Sequence, residues 1–262
     1  FIETGPRPRG ATFYPEDLTK EQFEAWIEKH PSDKATFQSW FTVIRRKPDS
    51  KELVAIPYSS HYRDELKKAA ELLNKAAGCV DNESFAKFLK SRAAAFLSNE
   101  YTQSDMDWMD VKDSRLEATI GPYEVYEDHL LNYKAAFESF ITLRDAEQSA
   151  KLSKVAAYLT SMEKNLPIPD ENKNFERGQM SPIVVADLIY SAGDTRAGVQ
   201  TLAFNLPNDE VVREKKGSKK VMLKNVSQAK FDKILTPIAA RVLDEKQLEH
   251  VSFDSYFNHT LM

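Results

Sequence analysis

Two short polar motifs carry residue types that could hold a polar ligand. The first is Ile120-Gly121-Pro122-Tyr123-Glu124-Val125-Tyr126. Side chains alternate along an extended strand, so Glu124 and Tyr126 would point to the same face. A carboxylate beside a phenol suits an ammonium and a peptide carbonyl. The second is Asn205-Leu206-Pro207-Asn208, just after a predicted strand. Its two carboxamides flank a rigid proline and offer donors and acceptors to a peptide backbone. Each motif also has a plainer reading. Glu and Tyr on a strand are ordinarily surface residues, and Asn-x-Pro-Asn is a good turn sequence.

Other groupings point away from chemistry. Asp105, Asp107, Asp110 and Asp113 fail as a calcium loop, which needs Gly at its sixth position and Glu at its twelfth; Asp110 and Leu116 stand there. That stretch reads as a solvated or capping face. Arg213, Lys215, Lys216, Lys219, Lys220 and Lys224 bracket Gly217 with few aromatics to stack bases, so they read as a solvated hairpin tip. No two of His30, His61, His129, His250 and His259 have the spacing of a helical zinc pair, and Cys79 is the one cysteine. No phosphate-binding glycine loop is present. With 36 basic against 40 acidic residues, the charge balance argues against a nucleic-acid partner. No apolar run is long enough to span a membrane.

The elements that must position these motifs can be read from periodicity. Thr19-Lys20-Glu21-Gln22 is a capping box opening a helix with Phe23, Trp26 and Ile27 inward. A second helix is predicted from Ser32, with Phe37, Trp40, Phe41 and Ile44 inward. Leu53 to Tyr58 reads as a strand. Helices follow from Ser59 or Ser60 to Gly78, and from Ser84 to Leu97. Leu116 to Ile120 is strand-like and should break at Gly121-Pro122. Ala136 to Leu143 could be strand or helix. A helix is predicted over Ala146 to Leu166, then a polar loop to Pro182. Strands are predicted over Ile183–Tyr190, Val199–Phe204 and Lys219–Val226, and a helix over Lys230–Leu243, kinked at Pro237. Gly5 to Gly10 reads as an arm. Helices around short, separated strands give an α+β class. Phe253, Tyr256, Phe257 and Leu261 form an apolar stripe running to the end of the sequence. We read the chain, which opens on Phe1, as a fragment, with apolar surface exposed near Phe253 and Phe257.

The two polar motifs belong to a wider pattern. Phe96-Leu97-Ser98-Asn99-Glu100-Tyr101, Thr119-Ile120-Gly121-Pro122-Tyr123-Glu124, Tyr133-Lys134-Ala135-Ala136-Phe137-Glu138, Asn205-Leu206-Pro207-Asn208-Asp209-Glu210 and Val221-Met222-Leu223-Lys224-Asn225-Val226 follow one another in order. Together they resemble the dipeptidyl peptidase III family of zinc peptidases, and most closely its divergent branch found in bacteria and, joined to a Nudix domain, in plants. Phe253 to Thr260 looks like the run that leads into the family's zinc helix.

The resemblance implies a two-lobed peptidase, mostly helical with a small β-barrel-like lower lobe. Residues 1–144 and 186–234 would form that lower lobe, and 145–185 and 235–262 the beginning of the helical zinc lobe. It implies an oligopeptide substrate cut two residues from its N-terminus. Glu124 would hold the free amine, Tyr126 would act catalytically near the scissile bond, and Asn205 and Asn208 would fix the peptide's N-terminal end. The zinc ligands are expected beyond Met262, from the remainder of the parent peptidase, so the chain alone is expected to be inactive. The main family places an Arg after the tyrosine, where this chain has Glu127 beside Asp128, which bears on substrate choice. A peptide-binding or interaction module without a metal, and a degenerate relative with another role, are the alternatives. The expected setting is the cytoplasm, with the bacterial periplasm as the alternative.

Overall fold

The structure, a computed structural model, describes residues 9–156, 158–173, 183–196 and 200–261. Gly5 to Pro8 of the expected arm, residues 174–182 of the expected loop and Val199 lie outside the described residues. The chain forms two compact units, one of residues 1–113 with 120–138 and the other of residues 114–119 with 139–262. The fold is α+β, as expected.

The first unit is largely helical. Helix α1 (Lys20–Lys29) opens with the expected reciprocal cap, in which Gln22 N donates to Thr19 Oγ1 at 3.2 Å and Thr19 N to Gln22 Oε1 at 3.3 Å. The predicted second helix is cut short. One turn, α2 (Lys34–Phe37), gives way to strand β1 (Thr42–Arg46), which pairs antiparallel with β2 (Leu53–Pro57). Thr42, Val43 and Ile44 are β-branched and suit a strand, and β2 needs a partner for its backbone groups. A short turn α3 (Tyr58–His61) leads into α4 (Arg63–Ala77), α5 (Glu83–Ser98) and α6 (Thr102–Met109). Asn82 caps α5 by accepting from Phe85 N at 2.8 Å. Aromatic rings fill the core, among them Phe23, Tyr58, Phe88, Phe96 and Trp108.

Strands β3 (Leu116–Glu124) and β4 (Ala136–Arg144) contribute to both units. β3 does not break at Gly121-Pro122. It is the edge of a curled five-stranded sheet ordered β3-β4-β5-β7-β6, and proline is tolerated at an edge, where its missing N–H faces no ladder partner.

In the second unit the predicted long helix divides into α7 (Ala146–Ala156) and α8 (Leu159–Lys164). Strand β5 (Ile183–Gly193) follows, then β6 (Ala203–Leu206), helix α9 (Glu210–Lys216) and β7 (Lys219–Leu223). β7 runs parallel to β5 and antiparallel to β6. Alternation on β5 and β7 builds two apolar layers. Val184, Ala186, Val221 and Leu223 pack with Phe140 on one face, while Val185 and Met222 pack with Leu152 and Phe257 on the other. Helix α10 (Lys224–Lys230) begins where a strand was expected to continue. A π-helical turn, Phe231–Leu235, precedes α11 (Thr236–Val242), and the wider turn takes up Pro237, which has no N–H to donate. A single turn α12 (Glu245–Leu248) and helix α13 (Phe253–Leu261) complete the unit. Phe257 is buried, contrary to the expectation of exposed apolar surface there, because α13 lays it on the sheet face with Val185 and Met222. Among the described residues no helix is long and apolar enough to cross a membrane.

The basic cluster is not a hairpin tip. Arg213, Lys215 and Lys216 form the last turn of α9, where cations favour the helix end, and Gly217 stops the helix at φ +75°. Lys219 turns inward, and its Nζ donates to Glu117 Oε1 at 3.1 Å with both side chains almost wholly buried. Removing one partner of such a pair leaves the other charge stranded, at about 3–5 kcal/mol. Lys219→Met should therefore lower the unfolding free energy by about that amount, and adding Glu117→Leu should recover much of it. Urea titration of the two variants checks both.

Candidate functional site

The end of β3 is set by a buried charge. Along α5, Phe85, Phe88, Leu89, Arg92 and Phe96 occupy the inward stripe, which buries the Arg92 guanidinium completely. Nη2 of Arg92 reaches Asp105 Oδ1 on α6 and donates to the Tyr123 hydroxyl on β3 at 2.7 Å. Tyr123 in turn donates to Asp105 Oδ1 at 2.7 Å. The rings of Phe88, Tyr101 and Tyr123 surround the guanidinium carbon at 5.4–5.6 Å. Burial works against the arginine's charge, but Tyr123 and Asp105 outweigh it and hold its pKa above the ordinary value. Burial also raises the Tyr123 pKa, so its hydroxyl stays protonated and able to donate.

Gly121 is the residue that lets the strand approach this group. A Cβ there would stand 2.8 Å from Arg92 Nη1 and 3.1 Å from the Tyr123 ring. The acidic stretch is therefore solvated only in part: Asp110, at the C-cap of α6, and Asp113 are exposed as expected, whereas its first two carboxylates are not. Asp105 and Asp107 are both buried, Asp105 against Arg92 and Asp107 against Lys87 Nζ at 2.8 Å. The sequence carried one sign of this arrangement, an arginine in register with the apolar stripe of α5.

A second anchor lies beyond the strand. The Asp128 side chain is fully buried. Its Oδ1 accepts from the backbone N–H of Leu130, Leu131 and Asn132 at 2.7–3.0 Å. Its Oδ2 accepts from the N–H of Tyr133 and Lys134 at 2.9 and 3.2 Å, and from the Tyr14 hydroxyl at 3.1 Å. Burial opposes the charge, but the backbone N–H bonds together hold the Asp128 pKa below the ordinary carboxylate value. The loop ends on Lys134, whose buried Nζ donates to Phe37 O, Ser39 O and Thr42 Oγ1 at 2.7–2.8 Å. Three acceptors match the three protons of an ammonium, although burial pulls the Lys134 pKa down to about 7.

The four candidate residues fall two in each unit. Glu124 is the last residue of β3 and half-buried, and Tyr126 is 70% exposed in the bend that follows. Alternation along a strand therefore does not relate them, because the strand stops at Glu124 and the chain turns toward Asp128. Asn205 is exposed on β6, opposite Lys220 of β7, and Asn208 is half-buried in the turn before α9. Asp209 caps that helix by accepting from Val211 N and Val212 N. Sequence reasoning missed Arg92, Asp105 and Asp128, whose partners become visible only in the fold.

This arrangement of sheet and helices matches a known peptidase family. The family model for Peptidase family M49 matches residues 13–256, and the chain belongs to that family. It superposes on the structure of DPP III from Caldithrix abyssi with a TM-score of 0.94 at 62% identity, covering all of this chain and 50% of that one. For dipeptidyl-peptidase III from Corallococcus sp. strain EGB the TM-score is 0.87 at 45% identity, covering all of this chain and 48% of that one. Nudix hydrolase 3 of Arabidopsis thaliana is 44% identical over 97% of this chain and 35% of that protein. The chain thus spans about half the length of the solved relatives and about a third of the plant protein. A metal is the cofactor expected of this family. Among the described residues no group of three or more His, Cys, Asp or Glu could hold one. What the geometry does define is how the segment carrying Glu124 and Tyr126 is anchored at both ends.

The anchors can be tested separately. Gly121→Ala should cost about 1–3 kcal/mol, the range for overpacking, because Arg92 cannot swing aside without leaving Asp105; thermal or urea unfolding reads this directly. Asp128 contributes stability that is present above its ordinary pKa of 3.8 and is lost as pH falls below it. The stability gap between the parent and Asp128→Asn should therefore be widest above about pH 4 and close toward pH 2, as followed by urea titration across that range.

Proposed function

We propose that this chain is the substrate-binding N-terminal portion of a zinc-dependent dipeptidyl peptidase that releases dipeptides from the N-terminus of oligopeptides. The observation that carries the reading is the segment from Glu124 to Glu127, strung between Tyr123, held by Arg92 and Asp105, and the buried carboxylate of Asp128. A short, mostly half-buried segment with both ends fixed, and Tyr126 exposed within it, presents its side chains in one geometry, which is what a binding site needs. Family membership and the dipeptidyl peptidase relatives support the class of substrate. Zinc and its ligands belong, on this reading, to the remainder of the parent peptidase.

Glu124 is assigned to the ammonium of the peptide's first residue. A fixed carboxylate at that end sets the register, so that the second peptide bond lies at the reacting centre. Tyr126 is assigned to the scissile carbonyl, where its hydroxyl can donate to the oxygen as negative charge develops. Asn205 and Asn208 are assigned to the peptide backbone. Their placement supports this, since β6 ends the order of the sheet and an edge strand offers backbone groups to an extended chain. A cytoplasmic setting goes with the reading, supported by the exposed free thiol of Cys79.

In the complete peptidase, Glu124→Ala should lower kcat/KM by roughly thirtyfold or more, since truncating one side of a buried charge pair costs about 2–5 kcal/mol. That loss should largely disappear on N-acetylated peptides, which carry no amine charge. Tyr126→Phe should lower kcat with little change in KM. Steady-state kinetics on matched free and acetylated peptides check both assignments, and parental kinetics in both variants would remove this segment from the substrate site.

A further inference from the structure

Tyr126 is a mostly exposed side chain that the proposed reaction requires to be held still, and its own contacts do little to hold it. The restraint comes from either side. Glu124 follows directly on Tyr123, whose hydroxyl is locked between Arg92 and Asp105 at 2.7 Å from each. Past Glu127 the chain enters a loop whose backbone N–H groups from Leu130 to Lys134 all point to one carboxylate, that of Asp128. Two non-glycine residues in this loop, His129 at φ +49° and Asn132 at φ +56°, adopt left-handed backbone. Histidine and asparagine are among the non-glycine residues that adopt this conformation most readily, and here the bonds to Asp128 surround it. Lys134 then pins the far end of the loop to Phe37 O and Ser39 O.

Asp128 has no exposed surface, so it cannot itself meet a peptide. Three carboxylates fall within five residues, Glu124, Glu127 and Asp128. The charge of Asp128 is taken up by backbone donors and the Tyr14 hydroxyl, which burial keeps protonated. It is therefore separated in role from Glu124, although both are acidic and close in sequence.

We propose that Asp128 is a positioning residue for peptide binding: its carboxylate gathers the 130–134 backbone and so fixes where Glu124 and Tyr126 stand. The inference rests on the assignment of those two residues to the substrate. Asparagine is the informative replacement. Its Oδ1 can still accept from Leu130, Leu131 and Asn132, but its amide would set a donor against the N–H groups of Tyr133 and Lys134, while the Tyr14 hydroxyl would have to turn from donor to acceptor. The loop should loosen at one end while the rest of its cap remains.

The test is a double-mutant cycle in the complete peptidase, at a temperature where circular dichroism shows every variant folded. The variants are Asp128→Asn, Glu124→Ala and the pair, assayed on a free-amine peptide and on its acetylated form, with amide hydrogen exchange followed over residues 130–134. Asp128→Asn should speed exchange in that loop and lower kcat/KM on the free-amine peptide by about tenfold or more. Because it acts through Glu124, its effect on the free-amine preference should vanish in the Glu124→Ala background. Tyr14→Phe, which removes one bond to the carboxylate, should shift the same preference in the same direction by about threefold; it carries the test if Asp128→Asn does not fold. Effects that multiply independently would overturn the inference and make Asp128 a purely structural residue, as would accelerated loop exchange with parental kinetics. Parental kinetics in Glu124→Ala alone would instead overturn the assignment of Glu124, and the inference with it, an outcome the single variant distinguishes.

Discussion

A guanidinium with no exposed surface constrains everything around it. Removing that charge from water costs several kcal/mol, so Arg92 must find its partners within the fold. Asp105 supplies the counter-charge from α6, and Tyr123 supplies a hydroxyl from β3. Those contacts require α5, α6 and the end of β3 to meet at one point. They also require Gly121, since any Cβ would occupy space already held by Arg92 Nη1. The exit of β3, and with it the placement of Glu124, follows from pairing one nitrogen of this group, Nη2.

The segment beyond the strand uses the same physics with the signs divided. Loops commonly run over the surface because their backbone groups need water. Here the 128–134 loop has its needs met internally, its N–H groups by the carboxylate of Asp128, while the ammonium of Lys134 takes up carbonyls at Phe37 and Ser39. Such charge-assisted bonds are stronger than neutral ones. They fix the backbone of the loop that follows the exposed Tyr126. In the second unit the same work falls to more ordinary devices: the ladder between β6 and β7 holds Asn205, and the Asp209 cap holds the turn carrying Asn208.

Departures from the predicted elements share a cause. Ile44 sits in a strand because β2 needs a partner, whereas the periodicity of Phe37, Trp40, Phe41 and Ile44 is equally that of a helix. Gly121-Pro122 has the composition of a break, but at a sheet edge it continues the strand. Asp105 and Asp107 resemble a solvated acidic run until α5 brings Arg92 and Lys87 against them. In each case the local pattern allows two answers, and a distant partner chooses between them.

By itself, the sequence determined what depends on neighbours a few residues apart. The Thr19–Gln22 cap, helices α4 and α5, strands β2 and β5, and the polar motifs around Glu124 and Asn205 are all of this kind, because capping and alternation act over short separations. Only the tertiary structure decided which charges are interior and what holds the candidate residues in place. The partners of Arg92 lie 13 and 31 residues away, and that of Lys219 lies 102 residues away. Short-range periodicity and capping do not relate residues at such separations, and the cost of leaving either member buried alone makes the pairing, once packed, obligatory.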